Sequence, residues 1–197
     1  MDGKMKGMIM AGMAGLCLIL GIMGALGTTW LVDSEADEDA PEGGYSLTAI
    51  HQDAETAEMC AMMAGLLGAG ECDGADYSAS FSDICDKTDD EDSCDMATGG
   101  MIGTIGMWAG IICALMVTLS LVLPMAGVDA MDAVPEMGNK IATWGAGALM
   151  LVGMLGWYMM LPDSGDMSLG MSGWMAGAAM SMGLGSALIG QFIEADE

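Results

Sequence analysis

The chain has 197 residues, 53% hydrophobic and 16% charged, and its 28 acids against four Lys and no Arg give a formal net charge of −24. That balance excludes nucleic acid as a partner, because holding phosphates needs clustered bases, and it disfavours anionic lipid heads. The charge is also segregated. Long uncharged runs alternate with dense acidic ones, as membrane spans joined by polar loops do.

No side chain between Lys6 and Asp33 is charged. This run exceeds the ~20 residues that cross ~30 Å of hydrocarbon, so a first span is expected at about residues 8–32. Lys4 and Lys6 precede it, which puts the N-terminus on the cytoplasmic side. The rival reading is a cleaved signal peptide with Ala25 and Gly27 before the cut. Against it, the run is longer than the ~7–15 apolar residues of a signal core. Trp30 ends the span where an amphipathic ring favours the lipid–water boundary.

Residues 33–99 form the one long polar segment. Val32–Gly100 holds 19 of the 28 acids, a single base, Lys87, and the cysteines Cys60, Cys72, Cys85 and Cys94. Its opening, DSEADEDAPEGG, has like charges, Pro41 and two glycines, so it is expected to be flexible. Tyr45–Ile50 alternates loosely and is β-prone, which suggests a strand. Cys60–Cys72 is apolar and suits either a hairpin or a short helix. Tyr77–Ile84 is a second strand candidate, and Lys87–Asp95 is expected to be an acidic loop.

Three further uncharged runs place spans at about 100–124, 141–161 and 172–193. Four spans put both termini in the cytoplasm and the long segment outside, in the plasma membrane. Three features agree with that topology. Three of the four lysines fall inside. The four loop cysteines fall outside, where disulfides persist. Trp30, Trp157, Tyr158 and Trp174 fall at outer ends as interfacial anchors, with Trp144 at an inner end.

Lipid gives no hydrophobic push between helices, so close contact must hold them together. Gly106-xxx-Gly110 and Gly173-xxx-Gly177 are the expected packing sites. Similar pairs are Ala11-xxx-Gly15, Gly21-xxx-Ala25 and Ala142-xxx-Ala146. The 25 methionines would fill the gaps that glycines leave.

The spans carry no Asp, Glu, Lys, Arg or His, which disfavours pumps, ion-coupled carriers and proton relays. His51 is the single histidine, and it has no Ser/His/Asp constellation around it in the sequence. No phosphate-binding glycine loop follows a strand. No catalytic residue and no cofactor are therefore assigned. The cysteine spacings, twelve and nine, lack the C-x-x-C pairs of structural zinc. Disulfides are expected instead; four cysteines allow three pairings, and we expect the local one, Cys60 with Cys72 and Cys85 with Cys94. Cys17 and Cys113 lie in spans as apolar fillers. Asp83, Asp86, Asp89, Asp90, Glu91 and Asp92 do not match a calcium-loop pattern, so a diffuse cation atmosphere is expected. Met150-xxx-Met154 offers thioethers to Cu(I), yet core filling is the expected role among so many methionines. No metal site is assigned.

The order of these features resembles the claudin and peripheral-myelin-protein-22 superfamily of four-span proteins. There, as with Trp30 here, the first span ends in a surface Trp. A long first loop forms a small sheet closed by a disulfide about ten residues apart, the place of Cys60 and Cys72. A small-residue segment leads into the second span, as Cys94–Gly100 does, and the second loop is short, as Pro162–Ser172 is. The likeness is one of layout: Thr-Ala-Glu-Met stands before Cys60 where the family has G-L-W-x-x-C, and the second cysteine pair is additional. The resemblance implies an all-α membrane protein, a four-transmembrane-helix bundle whose disulfide-stapled extracellular loop forms a small antiparallel β-sheet. It implies a non-catalytic scaffold or adhesion protein making lateral or cell–cell contacts. An accessory subunit of a larger membrane complex is the alternative, and a copper- or calcium-handling protein the third. The expected partners are the lipid bilayer and either further copies of the chain or another membrane protein.

Overall fold

The computed structural model describes residues 2–33, 43–54, 56–128, 136–162 and 167–194. In chain order the elements are α1 (Gly3–Leu26), β1 (Leu31–Asp33), β2 (Gly43–Tyr45), β3 (Ala49–Asp53), α2 (Ala57–Leu67), β4 (Glu71–Asp73), β5 (Asp76–Ser80), α3 (Phe81–Thr88), α4 (Glu91–Met125), α5 (Glu136–Met159), β6 (Met167–Leu169) and α6 (Met171–Phe192). They form two compact units. One comprises Met1–Ala25, Ile105–Gly153 and Met175–Glu197; the other comprises Leu26–Thr104 and Met154–Trp174.

All the regular elements of the first unit's described residues are helices, with a turn at Ala126–Gly127. Three of the long helices, α1, α4 and α5, are long and apolar enough to cross a membrane. The fourth expected span corresponds to α6, a 22-residue helix without a charged residue. Its glycines and serines dilute its hydropathy, and it does not reach the level of the other three. The burial pattern is the inverse of a water-soluble core. Ile19, Ile105, Ile112 and Val152 are more than half exposed, while Ala14, Ala114, Ala142, Ala146, Ala176, Ala179 and Ala187 are buried. Large apolar groups outside and small ones inside are what lipid as the outer solvent selects. These helices mark the chain as a membrane protein.

Glycine sets how closely the helices approach. A Cβ on Gly106 would lie 2.5 Å from Gly153 Cα, and one on Gly110 would lie 3.0 Å from Ala146 O. The expected Gly106/Gly110 pair therefore sits between α4 and α5. A Cβ on Gly147 would meet Leu184 N at 2.5 Å, and one on Gly183 would meet Gly147 N at 2.8 Å, so α5 and α6 touch backbone to backbone. Met150 is fully buried and fills the space beside the glycines, its Cε 2.8 Å from where Gly21 would carry a Cβ. The second expected pair does not serve this purpose. A Cβ on Gly177 meets nothing within 4 Å, and Gly173 faces Leu169 and Trp30 O, not another helix. The packing face of α6 runs through Gly183, six residues on and roughly 120° round the helix.

The few polar groups here are satisfied locally. Thr118, Thr143 and Ser181 donate to carbonyls four residues back, as hydroxyls in membrane helices do. Trp144 Nε1 donates to Gln191 Oε1 at 2.9 Å. Lys6 Nζ donates to Gly190 O at 3.0 Å and Ile193 O at 2.6 Å, a cation at the negative end of α6.

The second unit holds an antiparallel six-stranded sheet in the order β4-β5-β3-β2-β1-β6. The expected strand at Tyr45–Ile50 is a tight connection: β2 ends at Tyr45, β3 begins at Ala49, and Tyr45 pairs with Ile50. The expected strand at Tyr77–Ile84 is corrected: β5 stops at Ser80, whose hydroxyl accepts from Asp83 N and starts α3. The expected loop at Lys87–Asp95 is largely helical too. Asp90 accepts from Ser93 N at 3.0 Å and starts α4, with Glu91 and Asp92 in its first turn, where the helix dipole favours acids. Cys60–Cys72 resolves into a short helix and an edge strand. The stretch expected to be flexible lies outside the described residues, apart from Asp33, Gly43 and Gly44.

Trp30 and Trp157 do not present their rings at the protein surface. Both are buried, with ring centroids 5.0 Å apart and edge to face, an arrangement aromatic quadrupoles favour. Tyr158 and Trp174 are each 67% exposed. The glycine contacts yield a test. Gly147→Val should destabilise the first unit by about 1–3 kcal/mol through overpacking, lowering the unfolding temperature in detergent. Gly12→Ala, with open space at its Cβ position, should leave that temperature unchanged.

Candidate functional site: the disulfide-bonded sheet

The sheet unit is small and polar, and it is held together covalently. Helix α2 has a Thr56 cap at its start and a left-handed Gly68 at its end. Its inner face is Cys60, Met63, Ala64 and Leu67, which packs with Ala54, Ala69, Tyr77, Ala79, Ile84 and Ile50. This i, i+3, i+4, i+7 spacing is one helical face. Tyr77 Oη donates to Ala69 O at 3.0 Å, and burial pushes the phenol's pKa up, keeping the donor proton in place. Gly70 has φ +95, and a Cβ there would fall 2.6 Å from the Tyr77 ring, so no other residue fits that turn. Phe81 is buried and stacks on Tyr45.

Two disulfides close the unit. Cys60–Cys72 ties α2 to the edge strand β4, and Cys85–Cys94 ties α3 to the first turn of α4. Between α3 and α4 the chain turns at Asp89, φ 52, whose N–H donates to Cys85 O. Of the three possible pairings the local one is present. Cys17 is buried and Cys113 half-buried, and neither is bridged.

The outer surface has two characters. The first is acidic: the described residues of this unit carry thirteen carboxylates against one lysine, Lys87. The second is apolar. The outer face of α2 presents Met59, Met62 and Leu66 at 43%, 66% and 80% exposure, with Ala61 and Gly65 exposed between them. Glu58 is the only charged side chain on this helix. Sequence reading passed over this feature because the segment's apolar residues fitted a hairpin equally well. The signal lay in the Thr56 and Gly68 caps that frame eleven helical residues.

His51 lies on β3 opposite Gly44 and Ser78, half-buried, and burial lowers its pKa. No catalytic partner accompanies it among the contacts of the described residues. Hydrogen bonds from the Ser93 side chain and backbone hold the Asp90 carboxyl below the usual carboxylate range. Among the described residues no group of three or more His, Cys, Asp or Glu is arranged to hold a metal ion. No protein-family model matches the chain, and neither does any curated protein.

Two outcomes follow. Replacing Cys60 and Cys72 together by Ala should destabilise the sheet unit by about 2–4 kcal/mol, seen as earlier proteolysis between Ala57 and Ser80. Both lowered pKa values favour the fold at high pH: the unfolded chain takes up protons first as pH falls. Stability should therefore decline as pH drops below 6.5, the ordinary His value, and again below 3.8, the ordinary Asp value. In a pH-dependent unfolding series, His51→Gln should flatten the first limb only.

Proposed function

We propose that the protein is a non-catalytic membrane scaffold or adhesion protein of claudin-like layout, whose disulfide-bonded unit makes lateral or cell–cell contacts. In this reading α6 is the fourth span, both termini are cytoplasmic, and the sheet unit stands outside the plasma membrane. The observation that carries it is the second unit itself. A chain that only needed to join two spans would not require six strands, two bridges and a buried aromatic core. Such rigid, oxidised loops pre-organise a surface for contact. The absence of any charged residue along the apolar runs supports a structural role over transport.

A second reading, an accessory subunit of a larger membrane complex, draws on Gly12 and Gly15 of α1 and Gly177 of α6, where a Cβ would meet nothing within 4 Å. Flat helix faces of this kind let another helix approach closely. Crosslinking in native membranes followed by mass measurement separates the two. A ladder of multiples of 20.1 kDa is expected for the scaffold. One foreign chain at fixed stoichiometry indicates the subunit. A bare monomer at every crosslinker length would contradict both.

A further inference from the structure

The outward surfaces of α4 and α6 differ in kind. On α4, Ile105, Trp108, Ile112, Leu115, Leu119 and Val122 are exposed. They recur three and four residues apart and form one stripe. Trp108 is its only polar member, and among the described residues its indole N–H has no partner. It lies about 12 Å below Gly100, the expected outer end of the span. An indole favours the lipid–water boundary, and hydrocarbon offers its N–H no acceptor.

The outward face of α6 is small instead. Gly177, Ala178 and Ser181 share one helical face. Ala178 and Ser181 are exposed, and the place of a Cβ on Gly177 is open. Elsewhere in the bundle small residues turn inward, where helices meet. Ser181 donates its proton to Gly177 O at 2.9 Å, which leaves its oxygen as an acceptor.

The two features lie at one depth. A Cβ on Gly106 would meet Leu149 O and Gly153 Cα, and one on Gly110 would meet Ala146 O and Met150. Trp108 is therefore level with Leu149 and Met150 of α5. A Cβ on Gly147 would meet Leu184 N and Met180 O, which sets Ser181 within one turn of the same level.

Their directions are opposed. Glycine contacts link α1 to α4 at Gly21 and Ile111, and α4 to α5 at Gly106 and Gly153. They link α5 to α6 at Gly147 and Leu184, and α6 to α1 at Gly185 and Met13. Met150 of α5 also reaches Gly21 of α1. So α1 and α5 form the short diagonal of this ring, and α4 and α6 are its far corners. Stripe and notch therefore meet only between copies, head to tail, and a contact of that kind repeats.

We infer that the α4 stripe of one copy packs on the small face of α6 in the next. Trp108 enters the notch at Gly177 and Ala178, and its Nε1–H donates to Ser181 Oγ. A donor and an acceptor matched in depth select this occupant; lipid tails satisfy neither. The assignment rests on the lateral contact role proposed above and names the surfaces that carry it.

The test uses the full chain with Cys17 and Cys113 replaced by Ala, in phosphatidylcholine vesicles. Copies with Trp108→Cys and copies with Ser181→Cys, each bearing its own tag, are reconstituted together and oxidised. The mixture should give a dimer with both tags, and either variant alone should stay a monomer. A chain with both substitutions should give a ladder in multiples of 20.1 kDa. In an energy-transfer dilution series, Ala178→Leu should fill the notch and weaken self-association roughly ten-fold. Trp108→Phe keeps an aromatic ring without the N–H, and should weaken it about three-fold, the worth of one membrane hydrogen bond. The crosslinks decide even where Ala178→Leu lowers the unfolding temperature. A dimer from Trp108→Cys alone would put a second α4 on the stripe and overturn the assignment. In native membranes, crosslinking of Trp108→Cys to a foreign chain would also overturn it. A missing mixed dimer, while the parent chain still forms its ladder, would keep the lateral role and refute these surfaces. A parent chain that never self-associates would overturn both.

Discussion

Backbone contact between helices is the constraint on which the first unit depends. In lipid, burying a Leu gains nothing over leaving it outside, so only close approach distinguishes the folded bundle from separated helices. Gly106, Gly110, Gly147 and Gly183 provide it. At each, a Cβ would lie 3.0 Å or less from backbone atoms of another helix. The outward Ile and Val and the inward Ala follow from the same condition. So does Met150, whose unbranched chain fills the irregular space beside Gly21 and Gly110.

The second unit obeys a different rule. Its described elements include β strands of three to five residues and helices of eight and eleven, and it carries a strong excess of acid. Few large apolar groups are buried in it: Trp30, Tyr77, Phe81 and Trp157 stand out. Small cores of this kind rely on covalent staples. The two bridges take that part, each limiting how far the chain can open when unfolded. Self-repulsion among the carboxylates opposes compaction, which makes the staples more necessary. The outer stripe of α2 sits on the side of this unit that its own core does not cover.

The sequence makes some of this plain and hides the rest. The three long apolar helices are visible because charge vanishes over each run. The local cysteine pairing was one of three and became certain only with the fold. The caps at Thr56, Ser80 and Asp90 were legible by the ordinary helix-start rule; the β-prone residues around Ser80 hid it within an expected strand, and the acids around Asp90 hid it within an expected loop. Strand β6 was not legible at all. Met167-Ser-Leu169 carries no β signal, and it is a strand because Leu31–Asp33 offers an open edge to pair with. Gly173-xxx-Gly177 is one of several small-residue frames in α6, and spacing alone does not say that Gly183 is the residue that meets α5. Trp30 and Trp157 fit an interfacial belt by position, yet each finds a better partner in the other.

Cysteine accessibility in intact cells tests the whole account most directly. A membrane-impermeant thiol reagent should leave Cys60, Cys72, Cys85 and Cys94 unlabelled, and should modify all four once an impermeant reductant has opened the bridges from outside. Labelling of all four before reduction, or protection that persists until the membrane is permeabilised, would contradict the oxidised outward placement on which the contact role depends.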